Sequence, residues 1–104
     1  MKKSIMSDLV DPLNPMDKLR VRTLKAAAHA LKPVVTIGEK GLTKAVDHEV
    51  NIALDAHELL KIRIQGSSKI ERREMADKLC RTHAAHLVQM IGHTLTIYRQ
   101  STKK

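Results

Sequence analysis

Apolar residues along this chain switch repeatedly between a helical and a strand period, and the switching predicts three helices and four strands. Val21, Leu24, Ala28 and Leu31 recur at spacings of three and four. A first helix is therefore expected from Asp17, a suitable N-cap, to just before Pro33. Val34-Val35-Thr36-Ile37 is a short β-branched run and reads as a strand. Helical spacing returns at Thr43, another good N-cap, and lasts to about Glu58. Val46, Val50, Ala53 and Leu54 form its core side, supported by Ala45, Ile52 and Ala56. Leu60-Lys61-Ile62-Arg63-Ile64 then alternates residue by residue, as a strand with one apolar and one basic face does.

Gly66-Ser67-Ser68 is a turn, and Ser68 with Glu71 forms a capping-box pair that opens a third helix reaching about Thr82. Its expected buried side is Met75, Ala76, Leu79 and Cys80. Residues 86–91 and 94–99 read as strands joined by Gly92-His93, a two-residue hairpin loop. The order α-β-α-β-α-β-β predicts a single α/β domain, a mixed four-stranded sheet with helices packed on it. The two strand–helix–strand crossovers imply parallel neighbours, and the closing hairpin adds an antiparallel edge. Residues 1–16 contain Pro12, Asn14 and Pro15 without a usable period and are expected to form a flexible arm. The domain is expected over residues 17–100, followed by a disordered basic tail at 101–104.

Composition narrows the chemistry. The 104 residues include 19 Lys+Arg against 11 Asp+Glu, a formal net charge of +8 that favours a polyanionic partner. There is no Phe or Trp and only one Tyr, Tyr98, so modules that read single strands on several exposed rings are excluded. Cys80 is the only cysteine, which rules out an internal disulfide and fits a reducing compartment. Met1-Lys2-Lys3 resembles the start of a signal peptide, but Ser7, Asp8 and Asp11 break the apolar stretch behind it. No run approaches the roughly 20 apolar residues of a membrane span. A soluble, cytoplasmic protein is expected.

Two features point to a binding surface. Gly38-Glu39-Lys40-Gly41 lies between a strand and a helix N-terminus, where glycines admit close approach and backbone N–H groups favour a phosphate. Lys40 is the side chain placed to contact phosphate, whereas Glu39 carries the opposite charge. The second feature is a stripe along the first helix, Lys18, Arg22, Lys25, His29 and Lys32, with no acidic residue at i+4 to neutralise it. Cys80, His83 and His86 follow C-x-x-H-x-x-H, but a zinc site needs a fourth ligand that no second cluster supplies. His29 and His57 fit packing or capping at least as well as function. No nucleophile motif, Walker loop, dinucleotide fingerprint, His-Glu-x-x-His or acid–base pair appears, so neither catalysis nor a cofactor is expected. Tyr98-Arg99 is a secondary contact candidate, with packing at a sheet edge as the simpler role.

Several segments carry a resemblance to a known family. Residues 24–35 (Leu-Lys-Ala-Ala-Ala-His-Ala-Leu-Lys-Pro-Val-Val) continue as Ile37-Gly38-x-x-Gly41-Leu42-Thr43. His57-Glu58-Leu59-Leu60-Lys61-Ile62, Val88-Gln89-Met90-Ile91-Gly92 and Leu95-x-Ile97-Tyr98-Arg99 follow in order. Together they are similar to the YhbY-type CRM domain, the chloroplast RNA splicing and ribosome maturation domain, over residues 17 to about 100. The resemblance implies a fold like the C-terminal domain of bacterial translation initiation factor three. It also implies a glycine loop akin to that of KH domains and association with large-subunit ribosomal precursors. Carried over by position, Gly38, Glu39, Lys40 and Gly41 would meet RNA backbone, with Lys25, Lys32 and Lys61 flanking them. Arg63 shares the basic strand face, and Lys18, Arg22 and His29 extend the contact. Residues 1–16 inherit no role.

The expected protein is thus a monomeric RNA-binding factor in ribosome assembly, acting on a large-subunit precursor with no membrane or small-molecule substrate. It would read RNA shape and backbone more than base identity. Rival readings are a protein-interaction adaptor docking an acidic surface and a metal-dependent enzyme.

Overall fold

The computed structural model describes residues 18–100; the expected arm, the Asp17 cap and the basic tail lie outside the described residues. The elements are α1 (Lys18–Ala28), β1 (Val35–Ile37), α2 (Lys44–His57), β2 (Leu59–Ile64), α3 (Lys69–His83), β3 (His86–Ile91) and β4 (Thr94–Tyr98). The predicted order is observed, as a single α/β domain with three helices and a mixed four-stranded sheet.

Both predicted N-caps of the later helices are formed. Thr43 Oγ1 accepts from the Val46 N–H at 3.2 Å. Ser68 Oγ accepts from the Glu71 N–H at 3.1 Å, and the Glu71 carboxylate accepts from the Ser68 N–H at 2.9 Å, completing the capping box. The α1 helix is shorter than expected. It ends at Ala28, and the chain tightens into i→i−3 bonds, His29 N–H to Ala26 and Leu31 N–H to Ala28 among them. Lys61 explains the stop: its Nζ donates to the carbonyls of Ala28 (3.3 Å) and Leu31 (3.4 Å), capping the helix four residues before Pro33 would force an end.

The sheet order is β1-β2-β4-β3. β1 pairs parallel with β2, and β4 pairs antiparallel with both β2 and β3. The expected parallel adjacency therefore holds for β1 and β2 only. β2 and β3 run the same way but are separated by β4, so the hairpin places its second strand in the interior and leaves β3 at the edge. Tyr98 is accordingly on a central strand.

Alternation divides the sheet faces. Val35, Ile37, Leu60, Ile62, Ile64, Leu95 and Ile97 point one way, into a core shared with Val50, Ala53 and Leu54 of α2 and Ala76, Leu79 and Cys80 of α3. These side chains are essentially sealed, and burial of a large aliphatic contributes about 1.5–3 kcal/mol each. Ala45, Ile52 and Ala56, expected in support, are exposed on the outer side of α2. In β3 a bulge at Val88 shifts the register, so Leu87 and Met90 both reach this core although they are three residues apart. The opposite face carries Lys61, Arg63, Thr94, Thr96 and Tyr98, and α1 packs there across β2 and β3.

Candidate nucleic-acid interface

β1 and β2 end side by side, so the glycine turn leaves the sheet beside the turn that leads into α3. The Gly41 N–H donates to the Gly38 carbonyl at 3.0 Å, closing a four-residue turn. Neither Glu39 nor Lys40 has positive φ, which makes the turn type I, and Gly41 takes up the left-handed conformation at φ +73°. A side chain at Gly41 would be strained, whereas a Cβ at Gly38 meets no atom within 4 Å. The fold therefore favours glycine at 41 and has no need of it at 38.

Lys40 is exposed at the turn, and Glu39 leans sideways: its Cγ lies 4.0 Å from where a Cβ on Gly66 would sit. Glu39 is thus turned towards the β2–α3 connection. Two helix N-termini lie at this end. That of α3 is met by Glu71, whose carboxyl is held below its ordinary 4.5 by the Ser68 backbone N–H and then by the Ser68 hydroxyl. That of α2, directly behind the glycine turn, begins with Lys44.

The insertion of β4 brings a third turn to the same end. Thr94 pairs with Arg63, the Ile64 N–H donates to the His93 carbonyl at 2.7 Å, and the Gln65 N–H donates to the Ile37 carbonyl at 2.9 Å. Residues 38–41, 65–68 and 92–93 therefore cluster. His93 went unrecognised in the sequence because nothing local places β4 beside β2; Lys44, first in α2 behind the turn, was signalled by the capping pattern alone.

The predicted basic residues fall into three groups. Lys32, Lys61 and Arg63 run beside β1 towards the turn: Val34 N–H donates to the Lys61 carbonyl at 3.0 Å, and Thr36 pairs with Arg63. Lys61 spends two of its three donors on the end of α1 and the turn after it, while Arg63 and Lys32 are exposed. Lys25 and His29 are exposed near the end of α1. Lys18 and Arg22 are also exposed but lie at the start of α1, where Arg20 covers the Tyr98 ring with its Cζ 5.1 Å from the centroid. Tyr98 pairs with Leu59 at the start of β2, five residues from Ile64 and the turns, or roughly 16 Å at the usual strand rise. The stripe is thus a line from the far end of the sheet to the glycine turn, helical only as far as Ala28.

The secondary candidates have structural duties. Tyr98 is 8% exposed beneath Arg20. Arg99 donates to the carbonyls of His83 (3.1 Å) and Asn51 (3.3 Å) and to the side chains of Asn51 (3.1 Å) and Asp55 (3.0 Å). His83 is buried with Nε2 3.3 Å from Asp47 Oδ1, and burial pushes the Cys80 thiol up to about 11. No group of three or more His, Cys, Asp or Glu among the described residues is placed to hold a metal ion. No helix among them is long and apolar enough to cross a membrane.

Fold and site together define a small helix-first α/β domain that presents a glycine turn at the end of its first strand and packs a basic helix on one sheet face. Its residues 16–99 match the CRS1 / YhbY (CRM) domain, and the chain belongs to that family. It is 38% identical over 82 residues to a probable RNA-binding protein of Pseudomonas aeruginosa, covering 79% of each chain. It is 41% identical over 78 residues to an RNA-binding protein of Haemophilus influenzae, covering 75% of this chain and 79% of that one. The fold is similar to the solution structure of a Staphylococcus aureus protein described as a candidate RNA-binding protein. The TM-score is 0.75 at 27% identity, over 86% of this chain and 93% of that one.

Proposed function

We propose that this protein is a cytoplasmic, non-enzymatic RNA-binding factor that acts on a large-subunit ribosomal precursor. In this reading it grips RNA backbone with the glycine turn and the α1 side of the domain. One observation carries the reading: the described acidic residues are confined almost entirely to one side of the sheet. Among the described residues, α1 contains no acidic side chain. Every described acid except Glu39 lies on α2, on α3 or at the Glu58 cap between α2 and β2. The face that offers Lys18, Arg22, Lys25, His29, Lys32 and Arg63 is therefore uniformly positive and ends at Lys40. The names of the relatives support RNA as the polyanion.

In this mechanism the backbone amides of the turn not engaged within it and the Lys40 ammonium take adjacent phosphates, and Lys25 and Lys32 extend the contact. Lys61 contributes by holding the end of α1 in place. The test is a salt titration of binding to large-subunit precursor RNA, comparing the wild type with Lys25→Ala, Lys32→Ala and Lys40→Ala. Each lost contact is expected to lower the slope of log K against log salt by about 0.7–0.9. Unchanged affinity and slope in all three would overturn the model. Association with pre-ribosomes that survives nuclease treatment would favour a protein partner.

A further inference from the structure

α1 covers only part of its sheet face. Thr96 and Tyr98 are buried beneath it, yet Thr36 and Arg63, on the same face and nearer the turns, are exposed. The uncovered strip lies between the glycine turn at the end of β1 and the hairpin tip before β4. Those strands are two spacings apart, about 10 Å, or about three nucleotides of stacked single strand.

Two planar groups stand on or beside this strip. The Arg63 guanidinium projects from β2 between Thr36 on one neighbouring strand and Thr94 on the other. No hydrogen bond or ion pair of the described residues engages it. The His93 ring is exposed but fixed, with Nδ1 3.1 Å from the Ile64 carbonyl oxygen. A carbonyl only accepts, so Nδ1 carries the hydrogen and Nε2 is left for another partner. The ring is therefore oriented before anything binds.

RNA-binding surfaces stack unpaired bases on aromatic rings or on arginine planes. This protein has no Phe or Trp, and its one tyrosine is buried under Arg20. We infer that Arg63 and His93 form the base platform of the domain, on which a short single-stranded RNA segment lies while its phosphates engage the glycine turn. The platform lies between small threonine side chains, which let a flat base approach the sheet. Duplex RNA, whose bases are already stacked and paired, gains nothing from it. The inference rests on the RNA-binding reading above and adds a preference for unpaired RNA.

The experiment uses the full chain with two probes, a 20-nucleotide oligouridine and a 20-base-pair RNA duplex, at one salt concentration and across a salt series. Arg63→Lys keeps the charge and removes the plane. It is expected to weaken oligouridine binding about tenfold, with an unchanged salt slope and duplex binding within about twofold. His93→Ala should weaken oligouridine binding in the same selective way, while His57→Ala, a change at an exposed histidine at the far end of α2, should not. If Arg63→Lys and His93→Ala bind oligouridine like the wild type while Lys40→Ala is weakened, the platform is overturned and RNA binding stands. If neither probe nor precursor RNA binds the wild type, the RNA-binding reading itself fails.

Discussion

The Lys61 Nζ lies 3.3 Å from the carbonyl oxygen of Ala28, 33 residues earlier in the chain, so a strand residue terminates the first helix. Lys61 pairs across the sheet with Thr96, which is buried beneath α1. Its ammonium therefore reaches the end of the helix from below. A positive charge at that position also meets the negative pole of the helix. The basic stripe keeps its course towards the glycine turn because this contact holds the end of α1 in place.

Lys61→Met retains the aliphatic stem and deletes the donors. It is expected to cost about 1–2 kcal/mol, since two hydrogen bonds from a charged group are lost and the carbonyls stay partly covered. Urea denaturation measures the loss. Hydrogen exchange should show faster opening confined to residues 26–31. Exchange unchanged there would mean that the contact does not hold the helix end.

The two glycines of the turn make separable predictions. At Gly41, φ is +73°, so Gly41→Ala forces an L side chain into the left-handed region and should destabilise by about 1 kcal/mol. At Gly38 an added methyl meets nothing within 4 Å and the backbone is unremarkable, so Gly38→Ala should change stability by less than about 0.5 kcal/mol. If RNA backbone approaches there, Gly38→Ala should still weaken binding about tenfold, or about 1.4 kcal/mol. Thermal unfolding and an RNA titration on the same samples separate the two. Wild-type affinity in Gly38→Ala would remove the close approach from the mechanism.

Much of this architecture is legible in the residues themselves. The alternation of residues 60–64 and the Ser68–Glu71 pair fix a strand and a helix start by local chemistry. What is not legible depends on pairing at long range. Leu87 and Met90 break strict alternation, and only the Val88 bulge, formed against β4, reconciles them with one core. The place of β4 between β2 and β3 is likewise a property of the closed sheet, and it alone brings His93 to Arg63. The end of α1 misleads a local reading because Pro33 is a sufficient stop, yet Lys61 acts first. The site's candidates divide similarly: the basic stripe and glycine turn follow from spacing, whereas the duties of Lys61 and Arg99 follow from partners 16 or more residues away.

Glu71 gives the fold a pH dependence of defined sign. Its folded value lies below 4.5 because the Ser68 N–H and hydroxyl stabilise the carboxylate. A depressed carboxyl contributes fully above its unfolded value and loses that contribution as pH falls through the folded one. The stability gap between wild type and Glu71→Gln should therefore be constant above 4.5 and narrow below it. Urea midpoints at about pH 7 and about pH 3 test this, and a gap that widens in acid would contradict the capping assignment. Ser68→Ala, which deletes the other half of the box, should cost about 1 kcal/mol at neutral pH.

Arg99 was a candidate for contacting a ligand, and its bonds predict a different phenotype. One guanidinium joins Asn51 and Asp55 of α2 to the carbonyl at the end of α3, and the Arg99 N–H donates to the Glu58 carbonyl at 2.9 Å. The Arg99–Asp55 pair is about four-fifths covered on each side, at 19% and 22% side-chain exposure. Solvent screening at such a site is reduced but not absent, so Arg99→Ala should destabilise by about 2 kcal/mol, less than a fully buried pair would. Replacing Asp55 as well should recover part of that loss, because the stranded carboxylate is removed with its partner. Affinity for RNA, measured well below the unfolding midpoint, should stay within about twofold of wild type. A stable Arg99→Ala protein with tenfold weaker binding would instead place Arg99 on the RNA surface and extend the interface to the α2–α3 side of the domain.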